Sequence, residues 1–197
     1  LHLCHHNLEK ITDTNTTTTH NLLAEVCYAA KEEGASISGR YRQYVAEYKD
    51  YGSTICTVLA RSFADIGDIV RGRDLFLGNT YESAQRDQLD KKLKKIFKEI
   101  HEGLKTTNGK KSAKEYYKDD TDGNYYKLRE DWWEANRETV WKAITCEAGG
   151  GNAYFRQTCG SGKTATLAKD KCRCKKEDNT PDDQVPTYFD YVPQYLR

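Results

Sequence analysis

One stretch predicts the centre of the fold: Ala60-Arg-Ser-Phe-Ala-Asp-Ile-Gly-Asp-Ile-Val-Arg-Gly72. Its large apolar side chains recur at helical spacings and therefore share one side of a helix: Phe63, Ile66, Ile69 and Val70. A glycine inside a helix costs about 1 kcal/mol relative to alanine. Gly67 therefore indicates a place where another backbone approaches closely, and the alternative is a tolerated surface glycine. Gly72 stands where a C-terminal glycine ends such a helix.

Helical periodicity along the rest of the chain predicts an all-α fold, a bundle of about five or six helices with essentially no sheet. Residues 3–11 are predicted to be the tail of one helix. Residues 22–30 carry the apolar stripe of another helix, which Gly34 is expected to end. A separate helix is predicted over residues 38–48, where tyrosines and Val45 fall in phase.

Two long helices and a loop are predicted in the second half of the chain. The clearest helical pattern covers residues 82–104, with leucine, isoleucine and phenylalanine on one side and a row of lysines on the other. The last long helix is predicted over residues 125–146. Residues 147–185 have no helical or strand period and contain Gly149-Gly-Gly151. We therefore predict a long C-terminal loop, ordered by disulfides where a core is lacking.

The chain has seven cysteines, many for a cytosolic protein of this size: Cys4, Cys27, Cys56, Cys146, Cys159, Cys172 and Cys174. They predict disulfides and an extracellular setting. Four of them are expected to staple the loop partly to the last long helix, in one of three internal pairings: Cys146, Cys159, Cys172 and Cys174. Because seven is odd, at least one cysteine is free or pairs outside this chain. A zinc site would rest on Cys172-Arg-Cys174 and Cys4-His5-His6, and neither has the second arm that zinc requires, so no metal is expected.

The net charge of +1 conceals a polarised distribution. Residues 83–118 contain eleven Lys or Arg and five Asp or Glu, a local charge of +6, whereas residues 119–140 contain three bases and seven acids, a local charge of −4. Two basic patches are candidate binding sites. One is the helical row with the lysines that follow it: Lys91, Lys92, Lys94, Lys95, Lys98, Lys105, Lys110 and Lys111. The other lies in the C-terminal loop: Lys169, Lys171, Arg173, Lys175 and Lys176.

Such lysine runs have two interpretations, a solvated face or a surface that binds an anionic polymer. Nucleic acid would match the charge, but disulfides place the protein outside the cell. A sulfated glycan satisfies both conditions, and the lysines of the row are expected to point into solvent because the apolar side of their helix faces the core.

Catalytic motifs are not indicated. Gly160-Ser-Gly-Lys-Thr164 approaches a phosphate-binding loop, but the glycine that the motif requires five residues before Gly162 is Gln157. The histidines and carboxylates are scattered and suggest no catalytic set, so neither an enzyme nor a cofactor is expected. The sequence has no run of about 20 apolar residues that could cross a membrane.

The central stretch resembles the signature that opens the commonly sequenced segment of Duffy-binding-like alpha domains, the head of the malaria parasite's variant erythrocyte membrane adhesins. Pro186-Thr-Tyr-Phe-Asp-Tyr-Val-Pro-Gln-Tyr-Leu-Arg197 resembles the signature that closes it. Further motifs of the same pattern lie between and before them: Trp132-Trp133, Val140-Trp-Lys-Ala-Ile-Thr-Cys146, Leu3-Cys-His-His-Asn-Leu8 and Leu22-Leu-Ala-Glu-Val-Cys27. The resemblance therefore extends over nearly the whole chain.

This resemblance implies that residues 1–197 are a fragment of a single Duffy-binding-like alpha domain, mainly its middle helix-bundle subdomain, with the flanking subdomains missing. It implies a non-enzymatic adhesion module on the extracellular face of the infected red-cell membrane, with the membrane anchor elsewhere in a longer protein. The implied partners are host red-cell receptors or glycans, such as heparan-sulfate-like chains and blood-group sugars bound in rosetting or cytoadhesion, together with antibodies.

Two other functions stay open at this point. The chain could be a structural middle segment whose ligand contacts lie in the missing flanks. It could also be a cytosolic nucleic-acid binder, and titration of free thiols would separate that possibility because a cytosolic protein keeps most thiols reduced.

Overall fold

Helices form most of the part of the chain that the structure describes. The computed structural model describes residues 19–48, 54–75, 80–104, 113–118, 120, 123–149, 154, 156–176, 178, 180, 182 and 184–197. The helix predicted over residues 3–11, together with Cys4, Lys105, Lys110 and Lys111, lies outside the described residues.

Four long helices and one single-turn helix are found in these residues, where five or six helices were predicted. They are α1 (Thr19–Tyr48), α2 (Ile55–Arg71), α3 (Thr80–Glu102), the single turn α4 (Ala113–Tyr116) and α5 (Tyr126–Ile144). A two-stranded antiparallel sheet of five residues follows, β1 (Gln157–Cys159) and β2 (Thr166–Leu167), where no sheet was expected. Short 3₁₀ turns occupy Gly162–Thr164, Phe189–Tyr191 and Gln194–Leu196. The class is mainly helical, as predicted.

The first helix corrects a boundary that the sequence suggested. Gly34 does not end a helix. The helix α1 is 30 residues long, continues through Gly34 and includes the segment predicted as a separate helix. A Cβ atom at Gly34 would lie 1.9 Å from the carbonyl oxygen of Ile144, so the end of α5 rests directly on the backbone of α1. The glycine serves a close helix–helix contact, and it does not mark a chain turn.

Helix α2 is the centre of the structure, as its sequence predicts. The hydroxyl of Thr54 caps its first turn by accepting a hydrogen bond from the Thr57 amide, and Gly72, with a φ of 71°, ends it in the left-handed conformation that favours glycine. Thirteen of its 17 residues are buried, so α2 is covered on nearly every side and is not a one-sided surface helix.

The residue that approaches Gly67 is an indole, whereas a backbone was expected. A Cβ atom at Gly67 would lie 2.8 Å from Cζ2 of Trp133 on α5. Phe63, one turn earlier, packs its ring 5.1 Å from the Trp133 ring and 5.2 Å from that of Trp141. Aromatic pairs at such distances stabilise beyond the area that they bury, and these three rings join α2 to α5.

Arg129 of α5 satisfies the C-terminal end of α2. Its side chain is fully buried and donates hydrogen bonds to the carbonyls of Val70 (2.6 Å) and Ile69 (3.0 Å) and to the carboxylate of Asp90 (3.1 Å). The last carbonyls of a helix have no intrahelical partner and carry partial negative charge. A buried guanidinium therefore replaces the water that would otherwise solvate this end of α2.

The C-terminal segment, residues 186–197, is fastened to the core through Asp190. Its fully buried carboxylate accepts hydrogen bonds from Trp133 Nε1 (2.9 Å) and from Nε and Nη2 of Arg137 (2.8 Å each). Burial on its own would lower the pKa of Arg137, but the hydrogen bonds and charge of Asp190 outweigh it and raise that pKa. The backbone carbonyl of Asp190 accepts a further hydrogen bond from Arg71 of α2.

A glycine pair tests whether α2 is packed as tightly as this structure shows. We expect Gly67→Ala to destabilise the fold by about 1–3 kcal/mol, because the added methyl group overlaps the Trp133 ring in a packed core. Gly39→Ala in α1 is the matched control, since no atom lies within 4 Å of a Cβ there. Alanine at that helical site should be neutral or stabilising by up to about 1 kcal/mol. Urea unfolding of both variants measures the difference, and equal stabilities would contradict the packing.

Candidate functional site

Two disulfides fix the C-terminal loop. Cys56 of α2 pairs with Cys172 and Cys159 of β1 pairs with Cys174, all four being buried. The loop is therefore stapled to α2, and the prediction that Cys146 joins it to the last long helix is wrong, because Cys146 is a free thiol. Contact with α5 is made by a hydrogen bond, which Trp141 Nε1 donates to the carbonyl of Cys172 over 3.1 Å.

The loop contains an unusual turn between Lys169 and Arg173. Asp170, Lys171 and Cys172 have consecutive φ values of 46°, 59° and 56°. Each left-handed non-glycine residue costs roughly 1–2 kcal/mol. The Cys56–Cys172 disulfide holds one end of the turn, and paired backbone hydrogen bonds between Lys169 and Arg173 (3.0 and 3.3 Å) close it.

A basic groove of about 510 Å³ lies between this turn and the β1–β2 hairpin. Its polar and apolar walls come from the hairpin and its turn: Cys159, Gly160, Thr164, Thr166 and Leu167. Its charged lining consists of four cations and one carboxylate: Lys169, Arg173, Lys175, Lys176 and Asp182. The lining therefore carries +3 by formal charge, four positive minus one negative. We call this feature the loop groove.

The four cations of the loop groove differ in how firmly they are held. Arg173 is half-buried and donates from Nη2 to the carbonyl of Lys142 (2.6 Å) and from Nε to Thr145 Oγ1 (3.1 Å), so it also fastens the loop to α5. Lys175 pairs with Asp170 at 2.7 Å, with both side chains exposed. Lys169 and Lys176 are exposed. Lys171, although predicted with this patch, lies in the left-handed turn and does not line the groove.

The lysine row on α3 is partly neutralised by acidic neighbours. Lys91, Lys95 and Lys98 are exposed, and Lys92 and Lys94 are half-buried. Lys94 pairs with Asp90 at 2.8 Å, and Lys98 lies 3.9 Å from Glu102. Asp90 also holds the buried Arg129, so Lys94 belongs to the network that supports the end of α2. Asp90 therefore neutralises part of the row at Lys94.

Sequence reasoning did not place Asp182, Thr164 and Thr166 beside the basic residues. The β1–β2 pairing and the Cys159–Cys174 disulfide bring these segments together. Neither contact leaves a local pattern in the sequence, and the glycine-rich segment 160–164 proves to be the connection of this hairpin.

Three other features were searched for in the described part of the chain: a metal site, a membrane-spanning helix and a reactive thiol. Within it, no group of three or more His, Cys, Asp or Glu side chains could hold a metal ion. Among these residues we find no helix with the length and apolar character needed to cross a bilayer. Cys27 is the second free thiol, and burial raises the pKa of its thiol to about 11.

The chain matches one known protein family. The sequence model of the family described as "Duffy binding domain" matches residues 1–197. The comparison with curated proteins returns no match.

Solved structures of PfEMP1 domains match nearly the whole chain. The NTS-DBL1-alpha and CIDR-gamma double domain of PfEMP1 from the Plasmodium falciparum varO strain is 44% identical with a TM-score of 0.73, and the match covers 99% of this chain and 25% of that one. The NTS-DBL1(alpha-1) domain from the same strain is 42% identical with a TM-score of 0.66, covering 99% and 40%. The ICAM-1-binding PfEMP1 IT4var13 DBLbeta domain is 31% identical with a TM-score of 0.65, covering 99% and 39%. The chain thus spans between a quarter and two fifths of these structures.

The thiol chemistry provides a direct test of the loop's architecture. Peptide mapping without reduction should recover the pairs Cys56–Cys172 and Cys159–Cys174 and find Cys27 alkylated only after unfolding. At pH 8 a thiol with a pKa of about 11 is thiolate in about one molecule in a thousand, and the thiolate is the reactive form. Rapid labelling of Cys27 in the folded protein, or a disulfide to Cys146, would contradict this arrangement.

Proposed function

We propose that this chain, which belongs to the Duffy binding domain family, is a non-enzymatic adhesion module of a parasite surface antigen, and that its loop groove binds sulfated host glycans. The proposal places it on the extracellular face of the infected red-cell membrane, within a longer membrane-anchored protein. The observation that carries the glycan assignment is the concave basic lining of the loop groove on a disulfide-crosslinked loop.

The physical argument for a sulfated chain rests on charge and shape. Four cations line one open groove of about 510 Å³, where an anionic chain can contact several of them at once. Sulfates and carboxylates spaced along a glycan can each meet a lysine or Arg173, and the threonine hydroxyls at the wall can bind sugar hydroxyls. Two disulfides fix the geometry before binding, which lowers the conformational entropy lost on association.

The α3 row is the weaker of the two basic surfaces. Two of its lysines, Lys94 and Lys98, have acidic neighbours, as Lys175 of the loop groove does, and Lys92 and Lys94 are in addition half-buried. Exposed ion pairs contribute roughly 0–1 kcal/mol each, so the exposed lysines of the row can extend a glycan footprint without defining one. Lys110 and Lys111 stay candidates for the same extension.

A protein receptor is the second candidate ligand. Its support is the ICAM-1-binding DBLbeta domain at 31% identity. The alpha domains of the varO strain are more similar, at 44% and 42%, so the comparison favours the alpha type, and we assign no individual receptor.

The rival function is a structural segment whose ligand contacts lie elsewhere in the protein. This function is supported by the length of the chain, which spans about two fifths of two structures that are each described as one domain. Ligand contacts of such a domain can therefore lie in the other three fifths. We accordingly propose that residues 1–197 form mainly the middle subdomain of a single alpha domain.

Charge reversal in the loop groove separates glycan binding from the structural role. We expect Lys169→Glu with Lys176→Glu to weaken heparin binding by about tenfold or more, because each lost exposed contact is worth up to about 1 kcal/mol and each glutamate adds repulsion. Arg173 stays unchanged because it fastens the loop to α5. The matched control is Lys31→Glu with Lys118→Glu, two exposed lysines on other elements. Heparin affinity is measured by calorimetry at 50 and 150 mM salt.

Equal binding by the groove variant and its control would reject the loop groove as the glycan site. A steep fall of wild-type affinity with salt is expected, because the Debye length is only about 8 Å at physiological ionic strength.

A second charge reversal measures the contribution of the α3 row. We expect Lys91→Glu, Lys95→Glu and Lys98→Glu together to lower heparin affinity by less than the groove pair does, despite removing more positive charge. Lys94 is left intact, since a glutamate there would face Asp90 and disturb buried Arg129. Circular dichroism confirms folding, and a larger loss than in the groove variant would reverse the ranking of the two surfaces.

A further inference from the structure

One carboxylate, that of Asp182, lies among the cations of the loop groove. It is half-buried, and it shares the lining with four cations: Lys169, Arg173, Lys175 and Lys176. In the part of the chain that the structure describes, no lysine or arginine forms an ion pair with Asp182, whereas Asp170 pairs with Lys175 at 2.7 Å. A groove selected only for its attraction to anions would gain from losing this charge, because the formal charge of its lining would rise from +3 to +4.

The carboxylate of Asp182 is held in place by both neighbouring segments. Its backbone amide donates a hydrogen bond of 3.2 Å to the carbonyl of Cys174, which is crosslinked to Cys159 of β1. Its Oδ1 accepts a hydrogen bond of 3.3 Å from the amide of Gln184. The side chain of Gln184 donates in turn to the Thr158 carbonyl of β1 over 2.9 Å. The negative charge is therefore fixed at the groove before a ligand binds.

A fixed negative charge discriminates between anionic chains by the spacing of their charges. A densely sulfated chain that contacts all four cations brings a sulfate close to the Asp182 carboxylate, and the two like charges repel. A chain whose sulfates are separated by uncharged sugars can place a hydroxyl group there, and a hydroxyl can donate a hydrogen bond to a carboxylate. Repulsion of the wrong ligand is a general source of specificity in binding sites.

We propose that Asp182 is a specificity-determining residue of the loop groove, and that it selects chains with widely spaced sulfates over densely sulfated polyanions. The four cations attract both kinds of chain, and the carboxylate lowers the affinity for the dense kind. This inference rests on the proposed glycan binding of the loop groove and names the class of glycan that the groove prefers.

Replacing the carboxylate by an amide tests this role. Asp182→Asn removes the charge and keeps an oxygen that can accept the Gln184 amide. The ligands are two heparin derivatives of one chain length, one oversulfated and one partially desulfated, and affinity is measured by calorimetry on the full chain at 150 mM salt. We expect the oversulfated chain to bind about fivefold more tightly to the variant, the effect of one exposed ionic contact, and the desulfated chain to change less than about twofold. Equal factors for both ligands, or no change in either, would overturn the proposal.

The same loop offers a matched control at Asp178. Its carboxylate accepts the amide of Thr180, two residues further on, over 2.9 Å, as Asp182 does with Gln184, but Asp178 is exposed and does not line the groove. Asp178→Asn should therefore leave both affinities within about twofold of the wild type. A shift equal to that of Asp182→Asn would show an effect of net charge alone and would reject the specificity role. Asp182→Ser, whose hydroxyl can also accept an amide, provides a second variant for the same comparison.

The groove variant Lys169→Glu with Lys176→Glu separates this inference from the proposed function. If that pair leaves both affinities unchanged, the groove is not the glycan site and both proposals fail. If the pair lowers both affinities while Asp182→Asn leaves their ratio unchanged, glycan binding stands and the specificity role of Asp182 fails.

Discussion

The fully buried carboxylate of Asp190 is the constraint on which the rest of the structure depends. A charge removed from water must be paired and hydrogen-bonded, and leaving one partner alone in such a pair typically costs about 3–5 kcal/mol. Three donors meet this requirement, two from Arg137 and one from Trp133. The Trp133 ring that donates to Asp190 is also the ring that packs on Gly67. One carboxylate therefore fixes the register of α2, α5 and the C-terminal segment together.

Guanidinium groups complete this arrangement at the end of α2. Arg71 bonds to Asp68, to Glu130 and to the Asp190 carbonyl, while Arg129 binds the last carbonyls of the helix. The planar, five-donor geometry of arginine suits such multiple bonding, which lysine cannot reproduce. Buried charge contributes specificity of packing here, since each ion must find its own partners before the helices can close.

The C-terminal loop is stabilised by a different means. It has few residues in regular structure, and its order comes from two disulfides and from Arg173 and Trp141 contacting its backbone. The Cys56–Cys172 link closes 116 residues of chain, and in the chain-entropy model a loop of about that length gains about 4–5 kcal/mol. This stabilisation permits a strained left-handed turn and leaves lysines exposed along an open groove. The proposed adhesive surface thus lies on a crosslinked loop whose exposed lysines are not part of the helical core.

Local pattern determined what the sequence alone could establish. The apolar stripe predicted the buried side of α2, and Gly72 predicted its end. The apolar stripe opposite the lysines predicted α3, and the number of cysteines indicated disulfides. Each of these rests on contacts between near neighbours in the chain. The tertiary structure decided what depends on distant partners. Gly34 contacts Ile144 and does not end a helix, and Cys172 pairs with Cys56 while Cys146 stays a free thiol. Arg173 donates a hydrogen bond to a backbone carbonyl of α5, and Lys94 pairs with Asp90, so part of the charge of both basic patches is used within the protein. Periodicity records which side of a helix is buried, but it carries no information about which residue from another part of the chain covers it.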